Sequence, residues 1–300
     1  MLRCLRNNQT YLLTRRCLGG RFRLIPNRTI RGMFLYCLAL AAKRFAIDIH
    51  CLCVMSNHYH IVVGCNSLLS DLPGFMHCLN LNAALVLNAH QRRSGTFWEP
   101  GSYNLKTLTS EESVLRAMVY VICNPVTAGL IRDPRRWIGF NTRTDNAGNY
   151  RCRTWRPNFF GPGSIKPEDV WLQFSKPACF AYLSDSDYHD MLDRAVQARL
   201  EEIWAARAAQ GLGYLGLAAI RRQTCDQHPD GEGIVNPERA HEEVEYADFH
   251  DEEEEQEYRD FCEAHEECMD IVRAGGRPDF PYGTYKMVRK LGFDVVAAPD

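Results

Sequence analysis

The sequence predicts an α+β fold, an antiparallel sheet with helices packed on one face, followed by a mostly helical C-terminal stretch. Three observations carry that prediction. Four short runs rich in β-branched and apolar residues lie near 11–17, 47–55, 59–64 and 103–109. Two long apolar stretches at 27–45 and 70–92 separate them with the length of helices rather than strands. Their order is strand, helix, strand, strand, helix, strand, with one more helical pattern after the last strand.

Each element has its own local signal. The strand at 11–17 stops where Gly19-Gly20 opens a loop. The first helix starts at Asn27, Arg28 and Thr29, polar residues suited to capping, and its interior at 33–42 is apolar enough to lie under the sheet. The second and third strands are separated by Ser56-Asn57-His58, a connection short enough to make them antiparallel neighbours. In the second helix, Pro73-Gly74 falls near the N-terminus, where an irregularity is tolerated. After the fourth strand, Ser110-Glu111-Glu112-Ser113 offers a cap followed by acidic first-turn residues, and 114–123 carries the helical pattern. Pro125 is expected to end this helix, because the residue before a proline is pushed out of helical geometry. The order βαββαβ is that of the ferredoxin-like sandwich, which leaves the second face of its sheet open. Beyond residue 150, 184–209 reads as helix, and no internal repeat is evident.

Two segments carry chemistry. In Val54-Met55-Ser56-Asn57-His58-Tyr59-His60-Ile61-Val62-Val63, strand alternation puts His58 and His60 on one face and Tyr59 and Ile61 on the other. In Tyr120-Val121-Ile122-Cys123-Asn124-Pro125, helical spacing makes Tyr120 and Asn124 neighbours. Two imidazoles on one face can share a cation, and a phenol beside a carboxamide oxygen can sit next to it.

These residues resemble those of the REP-associated tyrosine transposases, single-tyrosine members of the HUH endonuclease superfamily. The likeness runs through Tyr11-Leu12-Leu13-Thr14-Arg15-Arg16-Cys17, the block from Met55 to Val63, Phe97-Trp98-Glu99-Pro100-Gly101-Ser102-Tyr103, and the segment from Tyr120 to Leu130, whose Asn124-Pro125-Val126-Thr127-Ala128-Gly129 core is its most specific piece. It implies a nuclease domain over 1–160 and a C-terminal extension over 161–300, largely helical, with an acidic segment near 241–270. It also implies that the tyrosine helix lies across the open face. His58, His60 and Asn124 would then hold Mg2+ or Mn2+, with Tyr120 attacking single-stranded DNA to leave a 5′-phosphotyrosine and a free 3′-hydroxyl. A free phenol has a pKa of about 10, so a neighbouring cation is needed to favour the nucleophilic form. Asn124 falls in the last helical turn, where the helix dipole modestly favours a cation. The sequence departs from the family pattern in placing Tyr59 between the histidines and Ser56 where many relatives have proline.

Composition fits a nucleic-acid partner. Net charge is only −2, yet residues 1–160 hold 21 Lys and Arg against 7 Asp and Glu. Such a half attracts polyanions. Arg15, Arg16, Arg21 and Arg23 near the first strand are candidates for phosphate contacts, and Trp98 and Tyr103 for stacking on unpaired bases, with core packing as the competing role of both rings. The expected partner is single-stranded DNA with hairpin or palindromic repeats. Conversely, half of 241–270 is Asp or Glu, with Arg259 the single opposing Lys or Arg, a run expected to be solvated or disordered, or to cover the basic face as a nucleic-acid mimic. The 13 cysteines are odd in number and form no Cys-x-x-Cys pair, so reduced and mostly buried thiols are expected. The longest apolar run, 33–42, is too short to span a bilayer, and a cytoplasmic location follows as the expectation. Spacing leaves monomer and homodimer both open. Two other functions compete with the nuclease: a domesticated module that binds hairpins without cutting them, and a partner-binding protein acting through its acidic segment.

Overall fold

The runs read as strands form strands, with boundaries shifted by a residue or two. The computed structural model describes residues 4–6, 8–67, 70–101, 103–161, 163–229 and 252–296. In chain order β1 (Gln9–Arg16), α1 (Arg28–Arg44), β2 (Asp48–Val54), β3 (His58–Cys65), α2 (Leu72–His90) and β4 (Asn104–Leu108) make the βαββαβ unit, and α3 (Glu111–Thr127) follows. With β5 (Phe140–Asn141) the strands form one five-stranded antiparallel sheet in the order β4-β1-β3-β2-β5. The α+β fold is therefore as expected, with β5 an unforeseen edge strand beside β2.

Alternation along β3 divides the molecule. Tyr59 points to the α1 and α2 side, where its ring packs 5.0 Å from Phe34 and its hydroxyl donates to Asn80 Oδ1 at 2.9 Å. His60 points the other way, its ring 5.1 Å from that of Tyr120 on α3. α1 and α2 pack on each other, while α3 packs against β2 and β3. Asn27 caps α1 by accepting the Ile30 N–H at 2.8 Å, and Asp71, one residue past the expected start, caps α2 through Gly74. Pro73 then falls in the first turn, where a missing N–H costs nothing.

One boundary differs in kind. α3 does not stop before Pro125 but runs through it to Thr127. Pro125 stands in the last turn and is buried, and Ala128 N–H still bonds to Asn124 C=O at 2.9 Å, so the proline removes one donor without breaking the turn. Asn124 consequently keeps helical geometry.

Beyond the sheet, β6 (Arg151–Trp155) and β7 (Asp169–Gln173) form an antiparallel ribbon that the sequence had not suggested, packed on α1. The helix expected at 184–209 is α4 (Asp185–Ala209), which packs on α3, and the short α5 (Leu217–Arg221) follows. By internal contacts the chain forms two compact units, 10–245 and 1–9 with 246–300, so that 161–229 belongs with the sheet. In the second unit Phe261 of α6 (Glu252–Arg273), Met287 of α7 (Lys286–Leu291) and Phe280 between the two helices are buried, and Leu5 N–H bonds to Gly283 C=O at 2.9 Å. Of the acidic stretch, 241–251 lies outside the described residues, and the remainder is helical in α6. All 13 cysteines are free, seven of them buried. Among the described residues no helix is long and apolar enough to cross a membrane.

Candidate functional site

The β2–β3 hairpin and α3 bring four of the expected side chains together. The His58 and His60 rings are 4.7 Å apart and nearly perpendicular, and Asn124 Nδ2 lies 3.4 Å from His60 Nε2. Tyr120 stands one turn before Asn124 on the same helix, edge-on to His60. Helix α3 is set by a reciprocal capping box between Ser110 and Ser113, with Glu111 and Glu112 in its first turn. His60 and Asn124 are buried, whereas His58 and Tyr120 are half-buried.

Neighbours that sequence reasoning missed fix which nitrogens carry protons. Asn57 Nδ2 donates to Gly20 C=O at 3.1 Å, which turns its Oδ1 toward His58 Nδ1 at 2.7 Å. An amide oxygen only accepts, so His58 carries its proton on Nδ1 and leaves Nε2 bare. Gly20 can offer that carbonyl because it sits at φ +61, where an added Cβ would also meet Arg16 Nη2 at 3.0 Å. His60 Nδ1 pairs with Thr14 Oγ1 at 2.7 Å, and with Asn124 donating to Nε2, Nδ1 is again the protonated nitrogen. A signal for both existed: Thr14 shares a face of β1 with Arg16, and Asn57 directly precedes His58.

Electrostatics agrees with this arrangement. Burial, and then the charge of Arg16, pull the His58 pKa down to about 4, partly offset by Asn124. Burial, followed by His58 beside it, holds His60 well below the ordinary imidazole range. Both rings are therefore neutral at pH 7, the form that ligates metals. Asn124 Oδ1 is buried without a hydrogen-bond partner among the described residues. An orphaned oxygen beside two neutral imidazoles suits a divalent cation. Among the described residues no group of three or more His, Cys, Asp or Glu could hold a metal.

The six residues assigned to DNA divide. Arg16 lies beside the histidines, close enough for its charge to act on His58. Arg15 donates to the carbonyls of Glu99 at 2.8 Å and Gly101 at 3.2 Å, and Arg21 to Asp226 C=O at 2.7 Å. Tyr103 is half-buried just before β4. Two assignments are corrected. Arg23 is 3% exposed, donates to Thr96 and Phe97 carbonyls and lies over the Phe97 ring, so it braces the loop before β4 rather than meeting a phosphate. Trp98, 6% exposed, packs against Tyr59 and donates to Asn80 C=O, which makes it core. The cavities of about 600 and 510 Å³ lie elsewhere, and neither is lined by His58, His60 or Tyr120.

No protein-family model matches the sequence, and no curated protein matches it. Among solved structures, a REP-associated tyrosine transposase bound to a REP hairpin is similar over 44% of this chain and 74% of its own, at 15% identity and a TM-score of 0.38. A protein provisionally named a transposase, from Deinococcus radiodurans R1, is similar over 37% of this chain and 87% of its own, at 20% identity and a TM-score of 0.30. Both overlaps are partial.

Proposed function

We propose that this chain is a metal-dependent single-stranded DNA endonuclease and strand transferase, acting at hairpin or repeat elements. Tyr120 is its nucleophile, and His58, His60 and Asn124 are its donors for Mg2+ or Mn2+. One observation carries the reading: an orphaned Asn124 Oδ1, two neutral imidazoles and a tyrosine meet on one face of the sheet.

A bound divalent cation supplies Lewis-acid polarisation of the scissile phosphate and offsets its developing charge. The chain's residues do the rest. Thr14 and Asn57 keep the imidazole protons on Nδ1, which leaves Nε2 of His58 bare and Nε2 of His60 turned to Asn124. Arg16 adds a fixed positive charge beside His58, available to a non-bridging phosphate oxygen. Tyr120 gives up its phenolic proton and its oxygen bonds to phosphorus while the bond from phosphorus to the 3′-oxygen breaks. The departing 3′-oxygen takes up a proton, leaving a 5′-phosphotyrosine and a 3′-hydroxyl. The covalent bond conserves the energy of the phosphodiester, and attack by a second 3′-hydroxyl reverses the step and joins a new strand without ATP.

The test is nicking of a pool of end-labelled hairpins with single-stranded flanks, with and without Mn2+ or Mg2+, by the wild type and His60→Ala. Cleavage that needs the metal and falls at least a hundredfold in the variant is expected. Equal cleavage with a chelator present would sink the metal-dependent reading.

A further inference from the structure

The ribbon of β6 and β7 presents a face that the fold does not use. Its register pairs Arg151 with Gln173, Arg153 with Trp171 and Trp155 with Asp169. Alternation buries Thr154, Val170 and Leu172 and turns Arg151, Arg153, Trp155 and Trp171 outward. Trp155 is 61% exposed and Trp171 50%, although large rings ordinarily find burial. Each indole is stacked by a guanidinium, Arg151 lying 4.3 Å from the Trp171 centroid and Arg153 4.4 Å from that of Trp155. These stacks orient the rings and put positive charge beside each one.

A cavity of about 510 Å³ adjoins the ribbon. Arg28, Arg31, Arg135, Arg143 and Arg153 line it together with Trp155, and no Asp or Glu is in its wall. Arg135, Arg143 and Arg153 pair with Asp133, Asp145 and Asp169 outside the wall, surface pairs that are weak in water. Arg28 and Arg31 on α1 make no ion pair among the described residues. Five guanidiniums line a wall that holds no carboxylate, two of them with no ion pair and three with surface partners that an anion can replace, which favours an anion with repeated charges. Two exposed rings held by cations favour flat, aromatic partners. An unpaired nucleic-acid strand presents both along one chain, and two-stranded β-ribbons and aromatic platforms are established ways of holding nucleic acid.

We propose that the β6–β7 ribbon and its arginine-lined cavity form a second nucleic-acid surface, which takes unpaired bases on Trp155 and Trp171 and phosphates on Arg28, Arg31 and Arg153. The surface is separate from the Tyr120 chemistry and does not depend on it.

The test is fluorescence anisotropy of a labelled, mixed-sequence single strand with the full chain, in a chelator so that no metal-dependent cutting occurs. The combined Trp155→Ala and Trp171→Ala variant is expected to bind about tenfold more weakly or worse, with Trp155→Phe and Trp171→Phe recovering most of the loss. Arg28→Gln with Arg31→Gln should lower the slope of log Kd against log salt by about 1.4. Thermal melts of the same samples separate lost binding from lost folding. Unchanged affinity and slope in both sets, or binding by phosphatidylserine vesicles with the same variant dependence and none by the strand, would overturn the proposal. Strand binding that depends on the ribbon, in a protein that never cuts, would leave this surface standing and remove the nuclease.

Discussion

Hydrogen bonds from Thr14 and Asn57 to the histidines set which imidazole nitrogens are protonated. Thr14 and Asn57 hold the imidazole tautomers, and neither would touch the cation or the DNA. Thr14→Val keeps the shape and removes the hydroxyl, so Mn2+ affinity by calorimetry should drop about 10- to 100-fold with little change in melting temperature. A wild-type affinity in that variant would mean that Thr14 does not set the ring. The same histidines make stability depend on pH. The folded His58 pKa of about 4 lies below the ordinary value, and the folded His60 is lowered too. The unfolded chain therefore binds protons first on acidification. Stability is fully present above about pH 6.5 and is lost as pH falls toward 4, costing up to about 3 kcal/mol at His58. Urea melts across this range should show the decline, and His58→Gln should flatten it. An equally steep decline in the variant would assign it to other groups. At this scale spacing put His58 and His60 on one face and Tyr120 beside Asn124, and the structure brings the four side chains together, while the roles proposed for them came from the family resemblance. Arg23 was misplaced, and Trp98 stood between base stacking and core packing, because an arginine and a tryptophan look alike in sequence whether they face water or satisfy buried carbonyls and neighbouring rings.

Among elements, the legible parts are those whose hydrophobic period is strong. β1 to β4 and α1 to α3 follow from β-branched runs, apolar stretches and caps at Asn27 and Ser110. Two features were not legible. α3 passes through Pro125, since a proline in the final turn deletes one donor while the surrounding packing holds the backbone helical. The β6–β7 ribbon hid because its outward residues are Arg and Trp and a long connection parts its strands, so neither alternation nor a turn signal stood out. Its short neighbour β5 depends on one close approach. A Cβ on Gly139 would fall 2.7 Å from Val54 C=O, which also accepts the Trp137 indole N–H at 2.8 Å. Backbone cannot yield as a flexible side chain can, so Gly139→Ala should cost about 1–3 kcal/mol by urea denaturation and loosen the end of β2, next to the histidine turn. A cost below about 0.5 kcal/mol would show that this edge is free to move.

Across the whole molecule, charge and topology act together. The arginine-rich half carries the sheet, the tyrosine helix and the β6–β7 ribbon, while the acidic run reaches α6 in the second compact unit. The sheet turns His58 and His60 to the face crossed by α3, and helical spacing delivers Tyr120 and Asn124 to them. If that convergence is catalytic, the nucleophile must be caught on DNA. The most direct measurement is a denaturing gel of the full chain with labelled single-stranded hairpins and Mn2+ or Mg2+, run beside Tyr120→Phe. The account predicts a protein-linked labelled fragment in the wild type that disappears without metal and in the variant. Hairpins that bind but yield no adduct across a diverse pool, or an adduct that survives in Tyr120→Phe, would contradict it.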